Sequence, residues 1–94
     1  MSVLSVFHIE VHPEQEKAFV ADVLATFPIA QKQKGLKGAK AYVPVGEKYK
    51  YLLITEWESE KDIKNWMENP DHKKVIAKAG KYVKDHCIKR YSPK

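Results

Sequence analysis

His72 is the residue of this 94-residue chain best suited by type and spacing to do chemistry. It lies at helical spacing with Val75, Ile76 and Ala79, and it is the only titratable group on that otherwise apolar stripe. An imidazole so placed can serve near neutral pH as a base, a hydrogen-bond donor or an iron ligand. The alternative is a structural histidine bonded to a backbone carbonyl near the helix start. Trp66 shares a stripe with Ile63 and Met67, and Trp57 ends a strand pattern. Each reads either as a core aromatic or as a wall of a pocket between helices and sheet.

Other groups are less well placed. His8, Glu10 and His12 share one strand face. Neighbours at i, i+2 stand about 6.6 Å apart and the two histidines about 13 Å, so the outer pair cannot close on one metal. A His8–Glu10 site and a His8–His86 pair across strands remain conceivable arrangements. Cys87 has only His86 beside it, on the opposite strand face, and reads as a small hydrophobe. The five tyrosines read as strand aromatics, any of which could offer a hydroxyl to a phenolic ligand.

The elements that must position these groups follow from pattern. Val3 to Val11 is rich in β-branched and aromatic residues and is expected to be a strand. A helix is expected from about Pro13, with Phe19, Val20, Val23, Leu24 and Phe27 as its buried stripe and Pro28 kinking or ending it. Ala39–Val45 and Tyr49–Trp57 read as strands around a Gly46-Glu47-Lys48 turn. Ser59 should cap a helix carrying Ile63, Trp66 and Met67. Asn69-Pro70 should stop it and start the His72 helix, with Gly80 as the stop. Tyr82 to Tyr91 alternates as a last strand.

This strand–helix–strand–strand–helix–strand order predicts an α+β fold of the ferredoxin-like plan, an antiparallel sheet with helices on one face, as a single domain over residues 1–94. Leu4, Val6, Leu52 and Ile54 would then lie bare on the second face, so a homodimer with its two sheets packed face to face is expected.

Composition narrows the function classes. Hydrophobic residues make up 44% and charged residues 31%, as in an ordinary globular chain. No apolar run reaches the ~18 residues of a membrane span, and no signal peptide is apparent, so a cytoplasmic protein without membrane contact is expected. One cysteine excludes an internal disulfide and a multi-cysteine zinc site. The net charge of +5 is concentrated in residues 61–94, ten bases against four acids. Sixteen of the seventeen bases are lysine and Arg90 is the sole arginine, which reads as a solubilising surface and not as a nucleic-acid interface.

Glu56-Trp57-Glu58-Ser59-Glu60, followed by Trp66 and Asn69-Pro70-Asp71-His72, resembles the antibiotic biosynthesis monooxygenase family. The opening Val6-Phe7-His8-Ile9-Glu10-Val11 and Lys34-Gly35-Leu36-Lys37-Gly38 fit as well. The resemblance implies a dimeric α+β barrel. It also implies a cofactor-independent monooxygenase acting on a small aromatic, quinol or polyketide-like substrate. His72 would be the catalytic base, and Phe7, Trp57, Ile63, Trp66 and Ile76 would bind a small apolar or aromatic ligand. No cofactor is implied for that activity. The family's haem-degrading branch uses a first-strand asparagine, a helix tryptophan and a histidine iron ligand. Here Trp66 matches the tryptophan, Phe7 takes the asparagine position, and the histidine position falls at about Val75 or Ile76, one turn past His72. In the polyketide oxygenases the tryptophan matched by Trp57 is joined by polar residues where this chain has Leu53 and Ile63. Haem binding and a non-catalytic ligand-binding dimer are the alternatives.

Overall fold

The computed structural model describes residues 2–94. Four strands form one antiparallel sheet: β1 (Val3–Val11), β2 (Leu36–Tyr42), β3 (Lys50–Trp57) and β4 (Val83–Tyr91), in the order β2-β3-β1-β4. Three helices, α1 (Glu16–Gln31), α2 (Glu60–Met67) and α3 (Pro70–Tyr82), pack on one face of it. This is the ferredoxin-like α+β arrangement expected from the order of elements.

Strand alternation sorts the two faces. Val3, Ile9, Val11, Trp57 and Leu53 pack under the helices. Val6 pairs with Ile54 and His8 with Leu52 on the other face, where Leu4 is 37% exposed. The core is in two parts. One holds Ala30, Trp57, Ile63 and Trp66, with Val3, Ile29, Leu36 and Met67 against it. The other holds Ile9, Val11 and Phe19, with Phe7, Val20, Val23, Leu53 and Tyr82 against it.

Both helix caps form as expected. The Ser59 hydroxyl accepts from the Asp62 backbone N–H at 3.3 Å. The Asn69 carboxamide oxygen accepts from the Asp71 and His72 N–H groups at 2.9 and 3.3 Å. These contacts satisfy donors that a helix start leaves unpaired.

Four expectations are corrected. Pro28 does not end α1, which runs to Gln31. Burying Ala30 beside Trp57 and seating Ile29 outweighs the backbone bond that the proline removes. Leu24, placed on the buried stripe, is 63% exposed. The second strand lies three residues earlier than expected. Leu36 anchors it in the core opposite Trp57, whereas Pro44 cannot donate to a ladder and Val45 is fully exposed. Gly80 does not stop α3, which continues to Tyr82, so that residue belongs to the helix and packs against the second core cluster.

Two glycines hold left-handed backbone for different reasons. Gly35 has φ +88°, and a Cβ there would run into the Asp62 carboxyl, while the Glu58 N–H donates to the Gly35 carbonyl at 2.8 Å. Gly46 has φ +80° and faces open space. Gly46→Ala should therefore cost about 1 kcal/mol, for backbone conformation alone. Gly35→Ala should cost about 2–4 kcal/mol, because the cap at Ser59 must also shift. Equal urea midpoints for the two variants would contradict this account.

Candidate functional site

The α2–α3 corner holds His72 in a fixed place. Its ring lies flat on Trp66, with centroids 4.0 Å apart and planes 16° apart. Trp66 in turn tilts against Trp57, at 6.2 Å and 33°. The three rings form a continuous aromatic column from β3 through α2 to α3. Nδ1 of His72 is 3.1 Å from the Trp66 carbonyl oxygen. A carbonyl only accepts, so Nδ1 carries the proton, and in the neutral ring Nε2 keeps its lone pair. The corner is further braced by Asn69, whose side-chain N–H donates to Gln33 Oε1 at 3.3 Å. The Trp57 indole N–H donates to Thr55 Oγ1 at 2.8 Å.

Half-burial penalises the charged imidazole and pulls the pKa of His72 below the ordinary 6.5, with the carbonyl bond opposing the shift. Burial thus favours the neutral ring, whose Nε2 can accept a proton.

The residues singled out from sequence do not form one cluster. Trp57, Ile63 and Trp66 are brought together in the first core cluster, with 0%, 2% and 7% of their surface exposed. Phe7 is half-buried and packs against the second. Ile76 is 43% exposed. His8 and His86 are not neighbours: His8 pairs with Cys87, while His86 pairs with Ile9 and meets Phe7 edge-on at 5.9 Å. No metal-binding group of three or more His, Cys, Asp or Glu side chains occurs among the described residues.

Strand register shows what pattern reading did not. On the helix face, Leu36, Trp57 and Val3 form one cross-strand row, and Ala41, Leu53, Phe7 and Ile88 form another. Between them runs a row of Ala39, Thr55, Ser5 and Arg90. Three of its four members are small, and it separates the two core clusters. Ser5 and Thr55 carry the hydroxyls of this row, and Arg90 stands at its β4 end. These residues lie on four strands, so their alignment needs the pairing and cannot be read from any one segment.

Other polar contacts serve the packing at the far end. The Tyr51 hydroxyl donates to Glu16 at 2.7 Å; burial, and then that carboxylate, push it up to about 12. The nearby Asp22 carboxylate, and then burial, raise the Tyr82 hydroxyl. The second carboxylate oxygen of Asp22 is buried without a partner.

This fold defines a class, the small ferredoxin-like α+β proteins with helices on one face of an antiparallel sheet. Within it the chain belongs to the antibiotic biosynthesis monooxygenase family, whose sequence model matches residues 2–78. No curated protein sequence matches it. Solved structures are similar in fold. A conserved protein from Methanosarcina mazei superposes with a TM-score of 0.95 at 17% identity, covering 100% of this chain and 94% of that one. A Mycobacterium tuberculosis protein gives 0.91 at 14% identity, covering 99% and 95%. A Nitrosomonas europaea protein described as a candidate antibiotic biosynthesis monooxygenase gives 0.92 at 10%, covering 98% and 89%. No described helix is long and apolar enough to cross a membrane.

The lowered pKa of His72 fixes the sign of a pH effect. As pH falls through about 6.5, the unfolded chain takes up a proton that the folded chain resists. Stability is thus fully present above that value and declines below it. His72→Asn keeps a donor for the Trp66 carbonyl but does not titrate. Urea melts between about pH 7.5 and 5.5 should show a shallower loss in the variant than in the parent. Parallel curves would contradict the assignment.

Proposed function

We propose that the protein is a cofactor-independent monooxygenase acting on a small aromatic, quinol or polyketide-like substrate, and that it works as a homodimer. Membership of the monooxygenase family supports the reaction class. The observation that carries the reading is His72, neutral, held by Nδ1 and with Nε2 free, at the end of the Trp57–Trp66 column. The substrate would start over the small-residue row, beside Phe7 and Leu53, and would have to extend past Trp57 and Trp66 for its acidic CH₂ or OH to reach Nε2.

Nε2 would remove a proton from an activated CH₂ or phenolic OH. The electron-rich anion then reduces O₂ and combines with it. For an activated CH₂, loss of water from the peroxide leaves a carbonyl. The sum, CH₂ + O₂ → C=O + H₂O, balances without an external reductant. The protein's part is a dry apolar surface, orientation and a proton acceptor.

Oxygen consumption with a panel of anthrone-like and quinol substrates tests this. His72→Ala should lower kcat about 10²–10⁴-fold, as loss of a general base does. Full turnover by that variant would remove the role given to His72. The activity should form a plateau at neutral pH and fall on the acid side, following protonation of the ring.

The homodimer is argued from the bare sheet face, where Leu4, Val6, Leu52 and Ile54 are apolar and Tyr42 and Tyr91 are each 47% exposed. Light scattering at micromolar concentration should give twice the subunit mass, and a monomer would contradict the dimer.

Haem does not fit the residues present. His72 offers one nitrogen, but Phe7 is apolar at the asparagine position, and Val75 and Ile76 supply no ligand. Hemin titration should give no Soret shift saturating at one haem per subunit. A second reading, a non-catalytic ligand-binding dimer, is favoured by Leu53 and Ile63, both apolar and both packed at or against the core. Absence of turnover across the panel, with ligand binding retained, would select it.

A further inference from the structure

We infer that Arg90 makes this site selective for anionic aromatic ligands, such as aromatic carboxylates or sulfonates, by pairing with the ligand's charged group at the β4 end of the small-residue row. The inference rests on the site proposed above.

Arg90 pairs with Ser5 across β1 and β4. His86 touches Phe7 edge-on, which puts His86 on the helix face, and strand alternation then puts Ile88 and Arg90 there too. Arg90 is exposed, and no carboxylate pairs with it among the described residues, where the ion pairs are Lys50–Glu47 and Lys84–Glu10. Its guanidinium is thus free to meet a ligand.

The neighbours suit an amphipathic anion. Ile88, 45% exposed, and half-buried Phe7 lie in the next row and offer an apolar bed for a ring. Ser5 and Thr55 continue the Arg90 row inward. Thr55 Oγ1 accepts from the Trp57 indole, so its own proton remains available to an oxygen of the ligand. An aromatic body on Phe7 and Ile88 would leave its charged group beside the one side chain that offers a planar, two-pronged fork for a carboxylate or sulfonate. Sixteen of the seventeen basic residues are lysine, so the single arginine is chemically distinct from the basic surface around it.

Two fluorescent probes separate charge from shape: 8-anilinonaphthalene-1-sulfonate and N-phenyl-1-naphthylamine, the same skeleton without the sulfonate. The parent protein should bind both. Arg90→Gln should weaken the sulfonate probe about tenfold or more and leave the neutral probe unchanged, with Arg90→Lys recovering part of the loss. Unchanged sulfonate binding by Arg90→Gln, or an equal loss of both probes, overturns the role of Arg90 while leaving the site standing. Ser5→Phe and, from the other end of the row, Ala39→Phe should each abolish binding of both probes in protein that keeps its near-ultraviolet circular dichroism. Retention of both probes by these filled variants, or no binding by the parent, overturns the site itself and the inference with it.

Discussion

The aromatic column of Trp57, Trp66 and His72 is the constraint on which the α2–α3 end of the molecule depends. It joins the last residue of β3, the inner face of α2 and the first turn of α3. Aromatic pairs of this kind contribute about 0.5–1.5 kcal/mol each beyond the area they bury. Their larger effect is positional. With the ring fixed by stacking and by the Trp66 carbonyl, His72 has one tautomer and one accessible nitrogen. Asn69 ties the same corner to the segment after α1 through Gln33, so three helices share one junction.

The sheet contributes a complementary constraint. Two packed clusters leave between them a row in which Ala39, Thr55 and Ser5 fill little volume. Larger side chains there would merge the clusters into one continuous core. Small ones, two of them with hydroxyls, keep the two clusters distinct.

Much of the fold was legible because each signal was local. Ser59 and Asn69-Pro70 mark helix starts by hydrogen-bond chemistry, and alternation from Val3 to Val11 marks a strand. Errors arose where distant packing decided. Pro28 and Gly80 are breakers by local rule, yet Ala30 and Tyr82 beyond them are held by the core. The site was legible only in part. His72 stood out as one titratable group on an apolar stripe, but its carbonyl partner and its stacking on Trp66 come from the α2–α3 turn. The small-residue row could not be seen at all, because it exists only after four strands find their register.

The column also makes the protein its own spectroscopic reporter. Its only two tryptophans are coupled through space, and one of them faces an imidazole at van der Waals distance. A neutral imidazole is a poor acceptor of electrons from an excited indole, whereas an imidazolium is a good one. Emission therefore carries a record of the protonation of His72. The state of that ring can be followed by the chain's own light, without a label.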